Sequence, residues 1–479
     1  QMRTFSNFAW MFLQTEGDYN FSSGSRGRGN LSSTANPYFL FPQIYNFRYN
    51  IYSSEWPVAN RAIELYLQKK SENEGWERQI NGLSNNEKAN LLLEKHTFKE
   101  LLADVEQRNL QNNIVGLEAS RLFARSEINM GVDAFRDSLY AMLKRNTFLN
   151  IKFENMLDTL GEMSRTDLYS YLKEWEQVTP LPFYSIGEPE LTKVVNKGGE
   201  EFFVLKVLVS NNSDYDGIIQ MNVLQNGWWY QPMEDPRARK KVEIAAHTSK
   251  EFVSVWEEQI RDVEINTMVS GNLPYMIRQS IGNVKQERNK IVKDTIYTLP
   301  ESSLEMPGEV IVDNEDSTLF VLSTPAVVGL LPKWLDKVED TSFKYSGISW
   351  WRAPLQWTAT TNAKYYGKYI RSAYVIKSGD GSQTATWKIP VPEAGQYELY
   401  YHVFKDDELR WNDRLQGEYH FRVAYDSEME DAYINLRKAN EGWEQLGTYY
   451  FSADTVRVVL TDECKLRSVT ADAVKIVKR

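Results

Sequence analysis

At 479 residues the chain is too long for one compact core, and a prior of about 150 residues per domain predicts about three domains. Its 55 basic and 65 acidic residues give a formal net charge of -10, which argues against a nucleic-acid partner because such a partner's phosphates must be neutralised. It contains no apolar run of about 18 residues, so no membrane span is expected within it.

Residues 1–180 are predicted to form a mainly α-helical domain. Ser53 precedes an apolar face that contains Ala59 and Ile63, which is how many helices begin. Thr97 is expected to cap another helix, whose apolar face extends to Val105. Further amphipathic segments cover residues 113–128, 133–145, 150–160 and 165–177, with caps at Gly131–Asp133 and Ser164–Asp167.

After Pro180-Leu-Pro182 the hydrophobic period changes from that of helices to that of strands, since proline cannot continue a helix. Residues 181–325 are predicted to form a β-sandwich in which Phe203, Leu205, Val207 and Val209 share one strand face, and 317–323 is its last strand candidate. Residues 326–339 are assigned to a linker, and residues 340–479 to a second sandwich of jelly-roll type. The predicted fold class is multidomain α+β, with an N-terminal helical domain followed by two antiparallel β-sandwich domains.

The familiar catalytic motifs are missing from the sequence. A zincin-type metallopeptidase needs two histidines one helical turn apart with a glutamate between them, and the four histidines offer no such pair. There is no Walker loop and no Gly-x-Ser-x-Gly. The single cysteine, Cys464, is predicted to be a structural thiol rather than a nucleophile. No catalytic residue is assigned, and the prediction leans away from an enzyme for this chain.

Two acidic clusters have the chemistry of a calcium site. One is Asp313–Asp316, and the other combines Asp406 and Asp407 with Asp413. Neither has the regular ligand spacing of a calcium loop, so solvated turns are the alternative interpretation. Calcium is the one metal considered for this chain, at Asp406, Asp407 and Asp413.

The aromatic residues carry the clearest functional signal. A sugar ring presents a face of C–H bonds that packs on flat aromatic side chains, so a glycan-binding surface needs exposed Trp or Tyr beside polar groups. An aromatic core is the alternative, and Trp387, Tyr397 and Trp443 are assigned to it because they lie in or beside alternating strands. The candidates for glycan binding lie in or near loops of the last domain and are Trp350, Trp351, Trp357, Tyr366, Arg371 and Trp411.

Motifs spread along the last domain follow the pattern of a known family. They are Trp357, Tyr366–Ala373, Gly379–Gly381, Ala385–Trp387, Pro392–Tyr397, Gly442–Phe451 and Ala471–Lys475. Together they resemble the golvesin C-terminal-like domain, a module also found at the ends of some xanthan lyases. The resemblance implies a domain appended to a secreted or envelope enzyme, for carbohydrate binding or for packing. It brings no defined ligand residues.

A second set of motifs lies between the helices and the first sandwich. They are Gly131–Phe135, Asp167-Leu168, Leu172–Trp175, Pro182–Tyr184 and Phe203–Val209. They resemble the end of the catalytic part of an aminopeptidase-N-like zinc peptidase and the sandwich behind it. In that family the zinc ligands and the catalytic base lie upstream, and their motif is absent here. No catalytic residue is therefore carried over, and zinc is expected only with an upstream catalytic part.

These observations predict the non-catalytic C-terminal portion of a multidomain protein of the cell envelope, periplasmic or at the outer surface, or secreted. Its golvesin-like module is expected to bind a glycan or to pack on its neighbours, so the expected partner is a glycan or another envelope protein. One alternative is the accessory part of a zinc-dependent aminopeptidase whose catalytic residues precede Gln1. Another is a structural subunit of a larger envelope assembly, with Trp228–Tyr230 or Trp350-Trp351 buried against another chain.

Overall fold

The described residues group into two compact units. The first unit contains the described residues of 49–67, 89–181 and 218–243, and the second contains those of 74–88, 182–217 and 244–479. The computed structural model describes residues 49–67, 74–147, 149–178, 180–195, 198–224, 235–282, 284–288, 292–302, 304, 308–323, 343–348, 353–405, 417–426 and 428–479.

The predicted α+β fold class is confirmed. In the described part of the chain all α-helices precede residue 174, and mostly antiparallel sheets follow them. None of these helices is both long enough and apolar enough to cross a membrane. The helices are α1 (Ala59–Leu67), α2 (Glu74–Asn81), α3 (Asn85–Leu93), α4 (Phe98–Ala103), α5 (Gln111–Met130), α6 (Val132–Arg145), α7 (Phe153–Ser164) and α8 (Leu168–Lys173).

The strands are listed here in chain order, so that the sheets can be described by label. They are β1 (Tyr49–Tyr52), β2 (Leu149–Lys152), β3 (Tyr184–Ile186), β4 (Glu190–Val195), β5 (Glu201–Asn211), β6 (Gly217–Leu224), β7 (Arg239–Ile244), β8 (Thr248–Trp256), β9 (Asp262–Asn266), β10 (Met276–Ser280), β11 (Val284–Arg288), β12 (Thr295–Pro300), β13 (Glu309–Val312), β14 (Phe320–Leu322), β15 (Thr358–Thr361), β16 (Ser372–Lys377), β17 (Thr384–Pro390), β18 (Gly395–Val403), β19 (Glu418–Tyr425), β20 (Glu428–Asn435), β21 (Gly442–Phe451), β22 (Thr455–Thr461), β23 (Ser468–Ala471) and β24 (Val474–Lys478).

The first unit is built around α5, which packs on α1, α6 and α7. The rings of Tyr66, Phe123 and Phe135 form one cluster, with centroids 4.9 to 6.2 Å apart. A second cluster, with neighbouring centroids 4.8 to 6.3 Å apart, consists of Trp56, Phe98, Phe153 and Trp175. Both clusters are buried, so the apolar helix faces seen in the sequence are core faces.

Helix caps account for two of the predicted helix starts. The Thr97 hydroxyl accepts from Glu100 N at 3.2 Å, while Thr97 N donates to the Glu100 carboxylate at 2.9 Å, so that α4 begins with a capping box. The Asp167 carboxylate accepts from Ser170 N at 3.1 Å at the start of α8. Gly131, at φ +90°, separates α5 from α6.

Two details of the helix prediction are wrong. Val105 was placed on the buried face of α4, but α4 ends at Ala103 because Asp104 has an extended backbone, and Val105 is 62% exposed. Residues 150–152 were assigned to a helix, but they belong to β2, which pairs in parallel with β1. The helical period is overridden at Val105 by the local turn at Asp104 and at residues 150–152 by strand pairing with β1.

A buried ion pair joins α5 to β7 within the first unit. The Glu127 side chain is 1% exposed, and it accepts hydrogen bonds from the Tyr66 hydroxyl at 2.8 Å and from Lys241 Nζ. The Lys241 side chain is 7% exposed, so both charges lie away from water. Removing only one partner of such a pair lowers the stability of the fold, because the remaining charge would stay buried without its partner.

The carboxyl of Glu64 on α1 is 9% exposed, and burial raises its pKa from 4.5 to about 8, with Arg61 at 3.4 Å opposing the rise. The folded state therefore holds this proton more tightly than the unfolded chain, and the stability it contributes is lost as the pH rises from 4.5 to about 8. We predict that Glu64→Gln raises the Tm by about 2 °C at pH 8 and changes it little at pH 5, because the amide never ionises. Thermal unfolding followed by circular dichroism measures this.

The matched control is Glu162→Gln, since Glu162 is exposed on α7. It is expected to leave the Tm unchanged at both pH values. An equal Tm shift of Glu64→Gln at pH 5 and pH 8 would contradict the role of the buried carboxyl.

In the second unit, one sheet has the strand order β11-β4-β5-β8-β12, with β3 also pairing with β5. All its pairs are antiparallel except β11 with β4. Leu205, Val207 and Val209 on β5 are buried, as their alternation predicts, while Phe203 is half-buried. Strands β9 and β10 in this unit pair with each other in antiparallel orientation.

The C-terminal part of the second unit contains three sheets. Their strand orders are β13-β24-β18-β21, β14-β17-β22-β19-β20 and β15-β16-β23. The inward side chains of these strands share one buried cluster, which includes Trp387 at 0% and Tyr397 at 2% exposure. The sequence-based assignment of these two residues to the core is confirmed.

Strands β13 and β14 precede residue 340 but pair with strands of the C-terminal sheets. Strand β13 pairs with β24, and β14 pairs with β17, with Phe320 opposite Trp387. The segment 317–323, which the sequence assigned to the first sandwich, therefore contributes to the second. Hydrophobic period identifies a strand but not its partner, and only the pairing decides which sheet it joins.

The turn after α2 also belongs to the second unit, where it packs on residues near β15. Gly82 has φ +78°, and a Cβ at this position would lie 2.4 Å from the Ser346 carbonyl carbon. The Thr361 hydroxyl donates to Gly82 O at 2.7 Å. Only glycine meets both the backbone conformation and the close approach.

Candidate functional site

The candidate site lies on the outer face of the sheet β13-β24-β18-β21. Along β18 the side chains alternate, so that Leu399 and Tyr401 point into the core while Tyr400 and His402 point outward. Trp443 on β21 lies opposite His402, and Lys475 on β24 lies opposite Tyr400. The pairing of three strands thus brings these outward side chains together.

Asp472, between β23 and β24, supports this face from inside. Its side chain is fully buried and accepts hydrogen bonds from Tyr366 N at 3.1 and 3.2 Å. The His402 Nδ1 hydrogen-bonds with the same carboxyl at 2.9 Å. The Asp472 carbonyl accepts from the Trp387 indole N–H at 3.2 Å. One residue therefore ties the loop before β16 and two core strands to the start of β24.

The electrostatics of the site follow from burial. Burial raises the pKa of Asp472, and the His402 ring opposes this rise. Burial also raises the pKa of Asp313 well above its usual value, and the nearby Asp472 adds to the rise. For Arg371, burial lowers the pKa while Asp472 opposes the lowering. Both carboxyls hold their protons more tightly than in water, and at Asp472 the neighbouring His402 and Arg371 limit the effect.

On the outer side, an aromatic group surrounds the ammonium of Lys475. The Trp443 ring centroid lies 5.0 Å from that of Tyr366 and 5.1 Å from that of His402. Lys475 Nζ lies 4.9 Å from the Trp443 centroid and 5.4 Å from that of Tyr400, within cation–π range. We call these five residues the Trp443 cluster; all five are half-buried and reach the surface.

Three of the six predicted glycan-binding residues lie in the described part of the chain. Tyr366 belongs to the Trp443 cluster. Arg371 is half-buried, and its Nη1 donates to Ala363 O at 2.8 Å, which holds the loop before β16. Trp357 packs against the core, and among the described residues its indole N–H has no acceptor. The structure brings Tyr366 and Arg371 together around Asp472 and leaves Trp357 elsewhere.

The other predicted site residues lie outside the described residues. They are Trp350, Trp351 and Trp411, and the calcium candidates Asp406, Asp407 and Asp413. In the Asp313–Asp316 cluster the Glu315 carboxylate accepts from Lys344 Nζ at 2.5 Å and from the Tyr345 hydroxyl at 3.1 Å. Within the described ranges, no three His, Cys, Asp or Glu side chains are grouped so as to hold a metal ion.

Sequence reasoning missed His402, Asp472 and Lys475 as site residues, and it placed Trp443 in the core. Trp443 is half-buried rather than buried. A signal for His402 was present in the sequence, since it falls out of phase with the inward residues Leu399 and Tyr401. Asp472 carries no such signal, because its role depends on partners 70 and 106 residues away in the chain.

The motifs that meet at Asp472 belong to a known module. Residues 351–478 match the family model described as the Golvesin C-terminal domain. The predicted resemblance of the last domain is thereby confirmed, and residues 351–478 are called the golvesin-like domain below. The resemblance of the middle region to an aminopeptidase stays a prediction.

Solved structures with some likeness to the chain include the following three. Paenibacillus xanthan lyase has 17% identity and a TM-score of 0.26, covering 62% of this chain and 26% of the lyase. CBM35 from Cellvibrio japonicus Abf62 has 13% identity and a TM-score of 0.17, covering 24% of this chain and 75% of the CBM35 chain. Bacteroides uniformis β-glucuronidase 2 has 10% identity and a TM-score of 0.18, covering 65% of this chain and 31% of that enzyme. The chain thus spans about a quarter of the xanthan lyase. No curated protein matches it.

Replacing the buried carboxyl of the golvesin-like domain tests its structural role. We predict that Asp472→Asn lowers the free energy of unfolding by about 2 kcal/mol, because one of the two acceptor oxygens becomes an NH2 group, which cannot accept from the Tyr366 N–H or the His402 ring that it faces. Chemical denaturation measures the loss. Asp454→Asn, at an exposed carboxyl in the β21–β22 turn, is the control and is expected to change little.

A double-mutant cycle with His402→Gln separates the His402 contact from general packing. The coupling is expected to be about 1 kcal/mol, since the two side chains share one hydrogen bond. Strictly additive effects would show that the contact contributes nothing to stability.

Cys464 also lies in the golvesin-like domain, next to its core. Burial raises the pKa of this thiol, and its sulfur accepts from Leu466 N at 3.4 Å. We predict that iodoacetamide at pH 8 alkylates the native chain several-fold more slowly than the urea-unfolded chain, because the thiolate is the reactive form. Equal rates in both states, measured by mass spectrometry, would contradict a structural thiol.

Proposed function

We propose that the golvesin-like domain is a non-catalytic module that binds a glycan through the Trp443 cluster. The single observation that carries the proposal is the convergence of three motifs in the folded domain, with Tyr366 and Trp443 at one surface and Asp472 buried beneath them. These residues are up to 106 positions apart in the chain, so the fold must bring them together. On this proposal the chain belongs to a larger protein of the envelope or one that is secreted.

The chemistry of the cluster suits a sugar. Trp443 and Tyr366 supply flat aromatic rings for the C–H face of a pyranose. The ammonium of Lys475 and the ring of His402 lie beside these rings and can hydrogen-bond to hydroxyl groups. A surface that combines apolar faces with a few polar groups is the usual composition of a small-ligand site.

The cluster is also held in place before any ligand arrives. His402 is fixed by Asp472, and Lys475 Nζ bonds to Glu309 at 2.8 Å. The side chains of Lys475 and His402 are each 13% exposed, so little rotamer freedom remains to be lost on binding. Preorganisation of this kind favours affinity because less conformational entropy is lost when the ligand binds.

Binding to soluble polysaccharides tests the proposal. We predict that the full chain binds at least one of galactomannan, xyloglucan and polygalacturonate, and that Trp443→Ala weakens this binding roughly tenfold through loss of the aromatic contact. Trp443→Phe is expected to retain part of the affinity. Isothermal titration calorimetry gives the Kd, and circular dichroism confirms that each variant is folded.

The control for this experiment is Tyr297→Ala, which removes a 52% exposed ring from β12, outside the golvesin-like domain. It is expected to bind as the unmodified chain does. A folded Trp443→Ala variant with unchanged affinity would refute the Trp443 cluster as the binding site.

A further inference from the structure

A second aromatic surface lies on the other large sheet of the golvesin-like domain. On the outer face of β14-β17-β22-β19-β20, Tyr433 lies directly opposite His420. Their rings are parallel to within 9°, with centroids 4.9 Å apart. Tyr433 is nevertheless 55% exposed. Because one face of its ring lies against the imidazole, the exposed area includes the opposite face.

The strand pattern explains why Tyr433 points to solvent. Along β20, Ala432 and Ile434 are buried at 7% and 3% exposure, whereas Asp431 and Met429 share the outer side with Tyr433. Sequence reasoning did not predict this strand, since its carboxylates at Glu428, Glu430 and Asp431 have low β-propensity. The platform exists only because β20 pairs with β19 along eight residues.

The imidazole beneath Tyr433 is held by two carboxylates. His420 Nε2 hydrogen-bonds with Asp431 at 2.8 Å, and Nδ1 with Glu463 at 3.3 Å. The His420 side chain is only 16% exposed. Since both ring nitrogens have partners, the imidazole cannot rotate freely, and it presents the Tyr433 ring as a flat, fixed platform. We call Tyr433, His420, Asp431 and Glu463 the Tyr433 platform.

The charges around the ring restrict what can bind there. Asp431 and Glu463 are 58% and 63% exposed, so their free oxygens remain accessible beside the ring. Carboxylate oxygens accept hydrogen bonds from sugar hydroxyls but repel anionic groups. In the pairing of β19 with β20, the positively charged residue Arg422 lies directly opposite Asp431, and it is half-buried.

We propose that the Tyr433 platform is a second glycan contact, which takes an uncharged sugar residue and disfavours uronate polymers. The sugar's C–H face packs on the open face of Tyr433, and its hydroxyls donate to Asp431 and Glu463. The inference rests on the proposed function only in taking the ligand to be a glycan. It concerns a different sheet and residues outside the motifs that mark the family.

Calorimetry on the full chain, with galactomannan as the neutral probe and polygalacturonate as the anionic one, tests the platform. Tyr433→Ala is expected to weaken galactomannan binding about fivefold, and to do so again in the Trp443→Ala background. Tyr433→Phe, which keeps the ring, is expected to bind like the unmodified chain. Polygalacturonate is expected to bind at least about tenfold more weakly than galactomannan at the platform, measured in the Trp443→Ala background.

The matched control is Tyr450→Ala, because Tyr450 is 65% exposed on β21 of the other sheet. This variant is expected to change neither the affinity for galactomannan nor the affinity for polygalacturonate. Tyr433 contributes an outward ring rather than core packing, so Tyr433→Ala is expected to fold, and circular dichroism confirms this. If Tyr433→Ala failed to fold, Asp431→Asn with Glu463→Gln would serve instead, with weaker galactomannan binding expected.

The outcomes separate this inference from the proposed function. Loss of binding in Trp443→Ala with none in Tyr433→Ala overturns the platform and leaves the Trp443 cluster in place. Loss in Tyr433→Ala with none in Trp443→Ala supports the platform and overturns the Trp443 cluster. If both probes bind equally well in the Trp443→Ala background, the charge selectivity of the platform is overturned. If the unmodified chain binds no polysaccharide at all, both proposed sites are overturned.

Discussion

The golvesin-like domain depends on one buried carboxyl, that of Asp472. This carboxyl accepts from Tyr366 N and hydrogen-bonds with the His402 ring, while the backbone carbonyl of Asp472 accepts from the Trp387 indole N–H. A buried carboxyl is unfavourable without partners, so these contacts are required for the domain to be stable. The same contacts fix the geometry of the Trp443 cluster on the surface. Stability of the core and order at the candidate site are thus consequences of the same interaction.

Strand alternation decides which aromatic side chains are available for binding. Tyr397 and Tyr401 point into the core, while Tyr400 and His402, one residue away, point outward. On the opposite sheet, Tyr433 is outward because Ile434 is inward. Two outer faces of one sandwich therefore carry aromatic groups of different charge, with Lys475 at one and carboxylates at the other. A long glycan chain meeting both faces would gain affinity from the two contacts together.

Three of the described histidines, His247, His402 and His420, hydrogen-bond to carboxyl groups. His402 bonds to Asp472, and His420 bonds to Asp431 and Glu463. His247 bridges Asp214 and Glu301 at 2.8 Å each, and these hydrogen bonds raise its pKa.

The sequence by itself determined the change from helices to strands near Pro180, the Thr97 capping box, the core positions of Trp387 and Tyr397, and the family that the last domain resembles. These are properties of local period, local capping and motif spacing, which do not need a partner far away in the chain. The tertiary structure alone decided that β13 and β14 join the last sandwich, that Trp443 reaches the surface, and that Asp472 and His402 meet. Those facts depend on pairing between strands that are distant in sequence. A hydrophobic period of two predicts which residues share a strand face, but it does not predict which other residues that face packs against.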